Sequence, residues 1–324
     1  MTLIAALTSH LPTLRFAAPT TLGRPLDDPA AITERIHRQV RGIEIQARAL
    51  LAEQFVGDFQ SAFRGHGLEF AEIRQYLPGD DVRFIDWNVT ARRRTPYIKQ
   101  YVEERERTVL LLIDVSASES FGTTGRSVRS YALELAGLLG FAAALSNDRV
   151  GALAFSDQTE YLLPPRKGHL HVLRMLHDLL TLEPRRDGTD LARAIDEAAR
   201  LVRRGGIVFL ISDFHEPPGA ESRWDAALRR IGRRHDVAAL VVRDPHEASL
   251  PSGGLLHLRD LESGESQIVD TRNAARTLAQ AGHNQRDHLR SRLRAAAIDF
   301  VDLPTDEEYL HKLVSLFRAR MHRQ

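Results

Sequence analysis

The sequence of 324 residues contains no cysteine. This absence excludes disulfide bonds, thiolate metal sites and cysteine nucleophiles, and it is compatible with a reducing compartment. An excess of one sign of charge is also missing, because 44 Lys and Arg residues face 43 Asp and Glu residues. The basic triplet Arg92–Arg94 has acidic neighbours, so the charge pattern argues against a nucleic-acid partner.

Long apolar runs are missing as well. The longest weakly polar stretch, residues 131–145, is too short to span a bilayer and contains Glu134. The N-terminal residues do not show the basic segment and apolar core that are typical of a signal peptide. We therefore expect no transmembrane segment and a cytoplasmic location.

The order of apolar patterns predicts the architecture. Residues 1–28 lack sustained periodicity, so we expect a flexible tail there. Residues 29–107 are expected to form an N-terminal segment, with a helix to about Phe55 followed by a charged loop or hairpin around Pro78-Gly79. Strand and helix patterns alternate in residues 108–324, which predicts an α/β domain whose doubly wound, mostly parallel sheet is flanked by helices.

The strand predicted at residues 109–113 ends in a cluster of oxygen donors. Its five apolar residues are typical of a strand buried on both faces. Asp114, Ser116 and Ser118 follow, and positions two apart in an extended segment share a face. The simplest alternative is a strand-terminal Asp that caps the next helix, with the two serines in an ordinary turn.

Two later positions extend this cluster. Thr189 follows a glycine turn at the start of a helix, and Asp213 ends another apolar strand. If the two strands are neighbours, all five side chains meet at the carboxyl edge of the sheet, where open parallel sheets bind ligands. Hard oxygen donors suit Mg²⁺, Mn²⁺ or Ca²⁺, and two carboxylates with three hydroxyls leave room for water or for a further carboxylate from a partner protein or a small molecule.

The pattern Asp-x-Ser-x-Ser with a distant Thr and a more distant Asp resembles the metal-ion-dependent adhesion site of von Willebrand factor type A domains. The resemblance implies a metal site made of Asp114, Ser116, Ser118, Thr189 and Asp213. Next to these positions, we expect Glu119 and Asp190 to contact the partner. Glu119 stands where related sequences usually carry Met, and it adds a charge beside the site.

Four segments are similar to the bacterial DUF58 family, and the similarity extends over residues 33–245. Members of that family are similar to proteins encoded beside MoxR-type AAA+ ATPases, and many have membrane-spanning segments near the N-terminus. The resemblance implies a protein that assists such an ATPase in complex assembly or maturation. The four segments are Phe63–Phe70, Tyr76–Arg83, Ile85–Trp87 and Glu103–Glu106.

The function that we expect is a non-catalytic, metal-dependent protein-interaction module. One alternative is a metal-dependent phosphoester hydrolase that uses Asp190, Glu119 or His215 as its base. The sequence offers neither a second cluster of carboxylates for another metal nor a glycine-rich loop that would cradle phosphate. Another alternative is a structural scaffold whose metal site is empty.

Overall fold

The computed structural model divides the chain into two compact units. One unit consists of Met1–Phe63 together with Thr108–Gln324, and the other is Arg64–Arg107. The tail expected at residues 1–28 lies outside the described residues. Those are residues 29–51, 53–63, 69–102, 106–120, 122–123, 126–185, 188–202, 205–215, 221–245, 254–259 and 266–322.

Helices and strands are numbered in chain order over the described residues. The strands are β1 (Glu69–Gln75), β2 (Tyr97–Val102), β3 (Thr108–Asp114), β4 (Arg149–Phe155), β5 (Thr159–Arg166), β6 (Ile207–Ser212), β7 (Asp236–Arg243), β8 (Leu255–Arg259), β9 (Ser266–Asp270) and β10 (Asp299–Pro304). The α-helices are α1 (Pro29–Leu50), α2 (Glu53–Ala62), α3 (Trp87–Arg93), α4 (Val128–Leu145), α5 (His169–Thr181), α6 (Leu191–Leu201), α7 (Glu221–Gly232), α8 (Thr271–Ala295) and α9 (Leu310–Met321). Short 3₁₀ helices cover Val82–Phe84 and Ala117–Ser120.

The larger unit is built on a six-stranded sheet with the order β10-β7-β6-β3-β4-β5. Strands β10, β7, β6, β3 and β4 are parallel, and β5 pairs antiparallel with β4. The first strand of this sheet in chain order, β3, lies in its middle. Strands β4 and β5 lie on one side of β3, and β6, β7 and β10 lie on the other. This confirms the predicted fold class, a doubly wound and mostly parallel α/β sheet.

Both faces of the sheet are covered, and β3 shows why its apolar run is uninterrupted. Leu111 and Ile113 pack into the core beneath α1, α2, α4, α5 and α9. Leu110 and Leu112 pack on the opposite face against α6, α7 and α8. Because side chains alternate between the faces of a strand, each face needs its own apolar positions.

Helix α4 lies in the first of these cores. Ser127 caps its N-terminus by accepting a hydrogen bond from the Ser130 N–H, as a hydroxyl directly before an apolar helix predicts. Over the described part of the chain, α4 is the one helix that is long and apolar enough to cross a membrane, but 72% of it is buried inside the fold. Its apolar surface is therefore already covered by protein.

The N-terminal helices belong to the sheet unit. Phe55 and Phe59 of α2 are buried, and Phe59 stacks on Phe209 of β6 with ring centroids 6.3 Å apart. The division expected from the sequence, with residues 29–107 as one segment, therefore differs from the structure. Apolar side chains of α1 and α2 pack into the core on one face of the sheet, because burial of apolar surface is the main source of packing free energy.

The smaller unit is a local arrangement of charged residues around an antiparallel hairpin of β1 and β2. Arg74 makes two hydrogen bonds to Asp80, at 2.8 and 2.7 Å. Asp86 caps α3 by accepting hydrogen bonds from two backbone N–H groups. These charged side chains thus form a pair and a cap within the segment.

In the sequence, residues 255–271 alternate as short strands around Ser263-Gly264, which predicts a hairpin. Strands β8 and β9 pair antiparallel there, which confirms it, and the turn predicted at Ser263-Gly264 lies outside the described residues.

Candidate metal centre

The candidate site lies where β3 and β6 end side by side. Asp114 is the last residue of β3, and Asp213 directly follows β6. The two strands are parallel and hydrogen-bonded neighbours, so their carboxyl ends meet at one edge. The helix after β3 covers one face of the sheet and the helix after β6 covers the other. Such a switch between faces opens the crevice in which doubly wound sheets bind ligands.

A short chain of hydrogen bonds links four of the predicted side chains. The Ser116 N–H donates to Asp114 Oδ1 at 3.0 Å, and the hydroxyls of Ser116 and Ser118 lie 2.8 Å apart. Ser118 Oγ donates to Asp213 Oδ2 at 3.1 Å. Asp114, Ser116 and Ser118 have no exposed surface, and Asp213 is 5% exposed. The structure therefore brings these four residues together in the interior.

Glu119 occupies a different place from the one expected. It was expected to contact a partner, but it is fully buried, and its Oε1 accepts a hydrogen bond from the Asp213 N–H at 3.2 Å. Its carboxylate forms a cluster with those of Asp114 and Asp213, in which one oxygen of each lies within 4.8 Å of the others. Because Glu119 is buried, it lies inside the site and not on the surface of the protein.

The electrostatics of the cluster favour a cation. Burial, together with the negative charge of Asp213, raises the pKa of Asp114 to about 7, although hydrogen bonds from Ser116 and Ser212 oppose the shift. Arg129 interacts electrostatically with Glu119, while its own burial lowers its pKa. Arg129 therefore offsets part of the charge of Glu119, whereas the negative charges of Asp114 and Asp213 repel each other.

Ser212 and Phe214 are functional neighbours that the sequence analysis missed. Ser212 Oγ donates to Asp114 Oδ2 at 2.7 Å and accepts from the Phe214 N–H at 2.9 Å. Phe214 has a φ of 59°, which is rare for a bulky residue. This bend lets the His215 N–H donate to Asp213 Oδ1 at 2.8 Å. The signal available in the sequence was a hydroxyl directly before the carboxylate that ends the strand.

Thr189 and Asp190 lie in the loop before α6, beside the end of β4. The Asp190 N–H donates to the Ser156 carbonyl at 3.0 Å, just beyond β4, which itself neighbours β3. Thr189 is 7% exposed. The carboxylate of Asp190 caps α6 through the Arg193 N–H at 3.0 Å and lies 3.4 Å from Arg223. Asp190 is half-buried, and its oxygens stabilise the helix start and pair with that arginine.

The residues of the cluster fit a hard divalent cation. The donors are carboxylate and hydroxyl oxygens, the type that Mg²⁺ and Ca²⁺ prefer. Carboxylates that are buried within a few ångströms of one another are costly unless a proton or a cation separates their charges. Over the described residues, Asp114, Glu119 and Asp213 are the one group of three acidic or imidazole side chains close enough to hold an ion.

Fold and site together define an α/β protein with an acidic, hydroxyl-rich cluster at the carboxyl edge of its sheet. Residues 72–288 match the family model described as "Protein of unknown function DUF58". The chain is also 33% identical over 305 residues to the uncharacterized protein Rv1480 of Mycobacterium tuberculosis, which covers 93% of each chain. The chain therefore belongs to the DUF58 family.

Other similarities are more distant. The uncharacterized protein YeaD of Bacillus subtilis is 28% identical over 114 residues, which are 35% of this chain and 26% of that protein. The solved structure of BatB from Bacteroides thetaiotaomicron is 20% identical and has a TM-score of 0.44, covering 67% of this chain and 100% of that one. The VWA domain of SpRpn10 is 14% identical with a TM-score of 0.36, covering 65% and 94%. Scores this low do not establish a shared fold, so the fold given above stands on the topology of this chain.

Proposed function

We propose that this protein is a non-catalytic interaction module whose partner binds through a divalent cation. The observation that carries the proposal is the buried cluster of Asp114, Glu119 and Asp213, with carboxylate oxygens within 4.8 Å of one another. The hydroxyls of Ser116 and Ser118 lie in the same hydrogen-bonded chain. Mg²⁺ is the ion that we propose, with Mn²⁺ or Ca²⁺ as substitutes, and Thr189 is the fifth proposed ligand.

The number of proposed ligands leaves room for an outside carboxylate. Two carboxylates and three hydroxyls supply five oxygens, whereas octahedral Mg²⁺ takes six ligands. Glu119, in the same cluster, interacts electrostatically with Arg129, which offsets part of its charge. A coordination shell of this kind can accept one more hard oxygen ligand, such as an acidic side chain of a partner protein.

Titration of metal-stripped protein with Mg²⁺ and Mn²⁺ in a calorimeter tests the metal site. We expect saturable binding to the wild type and its loss in Asp114→Asn and Asp213→Asn, variants that remove a charge while keeping the shape of the side chain. Asp58→Asn is the matched control, because Asp58 pairs with Arg318 at 3.2 Å and is not a member of the cluster. Absence of saturable binding to the wild type would contradict the proposal.

The proposed partner is a MoxR-type AAA+ ATPase, and the proposed location is the cytoplasm. The partner follows from the family resemblance in the sequence, whereas the location is the expectation drawn from the overall sequence pattern. The test is binding of a purified MoxR-type ATPase from the same organism to the wild type and to Asp114→Asn, with Mg²⁺ and with a chelator. Binding that occurs only for the wild type in the presence of Mg²⁺ supports the proposal. Equal binding of both proteins, with Mg²⁺ and with the chelator, would argue against a role for the metal.

A catalytic role is less well supported by the positions of the candidate bases. Asp190 caps a helix and pairs with Arg223, and Glu119 accepts a hydrogen bond from the Asp213 backbone inside the cluster. A general base has to reach a water molecule beside the metal. Metal-dependent hydrolysis of a phosphoester by the wild type, lost in Asp213→Asn, would replace our proposal with an enzymatic one.

A further inference from the structure

Asp244 holds a backbone segment that leads away from the metal centre. It directly follows β7 and is 1% exposed. Its Oδ2 accepts a hydrogen bond from the Thr123 N–H at 2.6 Å, and its Oδ1 accepts one from the Thr123 hydroxyl, also at 2.6 Å. Two short hydrogen bonds to a buried carboxylate fix both the position and the orientation of Thr123.

The strand order shows where this segment runs. Strand β6 lies between β3 and β7, and all three are parallel. The chain leaves the carboxyl end of β3 at Asp114 and reaches the carboxyl end of β7 through Thr123 and Asp244. It must therefore pass over the end of β6, where Asp213 lies.

The part of the segment nearest β6 carries two members of the site. Ser118 Oγ donates to the Asp213 side chain, and Glu119 Oε1 accepts from the Asp213 backbone. Both contacts depend on how the segment lies across β6. Beyond Glu119, Thr123 makes two hydrogen bonds to Asp244, at the end of β7.

Gly122 limits the path of the same segment. A Cβ atom at Gly122 would lie 2.2 Å from the Arg126 carbonyl oxygen and 2.6 Å from the Ser127 Cα. The segment thus folds closely back on the start of α4. The position of Thr123 is therefore tied to α4 on one side and to β7 on the other.

We propose that Asp244 is a positioning residue for the metal centre, which acts by anchoring Thr123 so that Ser118 and Glu119 stay over Asp213. This inference rests on the proposed function, because it assigns Asp244 a role at that same site. Partners that hydrogen-bond a metal ligand directly typically change metal affinity by about 10–100-fold when they are removed, and we expect an anchor one step further out to act at the lower end of that range. Thr123 is exposed, so its hydroxyl can be changed without opening a cavity in the core.

The test compares Mg²⁺ affinities of Thr123→Val and Thr123→Ser by calorimetry at a temperature where circular dichroism shows each variant to be folded. Val removes the hydroxyl that donates to Asp244, and Ser restores it. We expect Thr123→Val to bind Mg²⁺ about tenfold more weakly than the wild type. Thr123→Ser is expected to bind like the wild type. If the contact between Thr123 and Asp244 had a purely structural role, Thr123→Val would lower the melting temperature and leave the Mg²⁺ affinity unchanged.

Two further variants complete the design. Asp244→Asn removes the charge of the anchor and is expected to weaken Mg²⁺ binding as well. Thr90→Val deletes a hydroxyl that accepts from the Tyr97 N–H at 3.0 Å in the smaller unit, and it should bind Mg²⁺ like the wild type. Wild-type affinity in both Thr123→Val and Asp244→Asn would overturn the role of Asp244 while leaving the metal site in place. Absence of Mg²⁺ binding to the wild type would instead overturn the proposed function itself.

Discussion

Asp114 shows at the scale of one residue how the site departs from ordinary core packing. Its side chain is fully buried, with another acidic residue, Asp213, close enough to raise its pKa. Hydrogen bonds from the Ser116 backbone and the Ser212 hydroxyl recover only part of the lost hydration. A fold selected for stability alone would place an apolar residue here, because an uncompensated buried charge costs several kcal/mol.

The raised pKa of Asp114 predicts a pH dependence of stability for the metal-free protein. The folded-state pKa is about 7 and the ordinary value is 3.8, so between these pH values the folded state binds more protons than the unfolded state. The free energy of unfolding should therefore fall as pH rises from about 4 to about 7. Asn does not titrate, so this pH dependence is absent in Asp114→Asn. As the pH rises from about 4 to about 7, the free energy of unfolding of the variant should therefore increase relative to that of the wild type.

Urea unfolding of both proteins in EDTA, at several pH values, measures this difference. A stability difference between wild type and Asp114→Asn that stays constant with pH would show that Asp114 titrates normally in the folded protein.

At the scale of the element, the segment between β3 and α4 sets the geometry of the metal centre. Residues 115–120 carry Ser116, Ser118 and Glu119, and the segment then turns tightly at Gly122 before Ser127 caps α4. Helix α4 is buried along most of its length, so its start is fixed by the core. The segment therefore takes its shape from both its own hydrogen bonds and the position of the helix that follows.

Gly122→Ala is predicted to destabilise the fold. The new Cβ would meet the Arg126 carbonyl oxygen at 2.2 Å, and this is backbone that cannot move without shifting the start of α4. Overpacking of this kind typically costs about 1–3 kcal/mol.

Gly42→Ala is the matched control for that substitution. Gly42 lies within α1, and nothing lies within 4 Å of its added Cβ, so the change should stabilise by about 0.5–1 kcal/mol through helix propensity. Urea unfolding of the two variants gives both values. A Gly122→Ala protein as stable as the wild type would show that the segment can take another path.

At the scale of the whole molecule, the site is a consequence of the strand order. Strands β3 and β6 are separated in sequence by β4, β5 and three α-helices, yet they are neighbours in the sheet. Two acidic residues 99 positions apart in the sequence, Asp114 and Asp213, thereby end up in one cluster. A ligand held by both strands should stabilise the unit as a whole.

Mg²⁺ is therefore predicted to raise the melting temperature of the protein. A ligand that binds only the folded state, at a free concentration of about a hundred times its Kd, adds about 2.7 kcal/mol to the free energy of unfolding. Thermal unfolding followed by circular dichroism across a Mg²⁺ titration measures the shift. We expect it to be absent in Asp213→Asn and present in Asp58→Asn. An unchanged melting temperature in the wild type would favour a scaffold that does not bind the ion.

Much of the fold follows from local pattern. The apolar run in residues 149–155 predicts a buried strand, and β4 covers the same residues, because such a run specifies a strand wherever the sheet places it. The cap at Ser127 is equally local, since it needs only a hydroxyl one residue before the helix.

The N-terminal helix shows where local pattern stops. One continuous helix to about Phe55 was expected, but α1 ends at Leu50 and α2 begins at Glu53. No glycine or proline marks this break. Phe55 packs against Phe317 with ring centroids 5.5 Å apart, so a contact more than 260 residues away in the sequence accompanies the change of direction.

The sequence by itself determined the buried strands, the helices around them and the oxygen donors at the strand ends, because these depend on residue type and on spacing along the chain. Only the tertiary structure decided that Glu119 turns inward, that Ser212 supports Asp114, and that Thr123 lies beside Asp244 at the end of β7. The physical reason is that these contacts join segments far apart in sequence, and their geometry is set by which strands become neighbours.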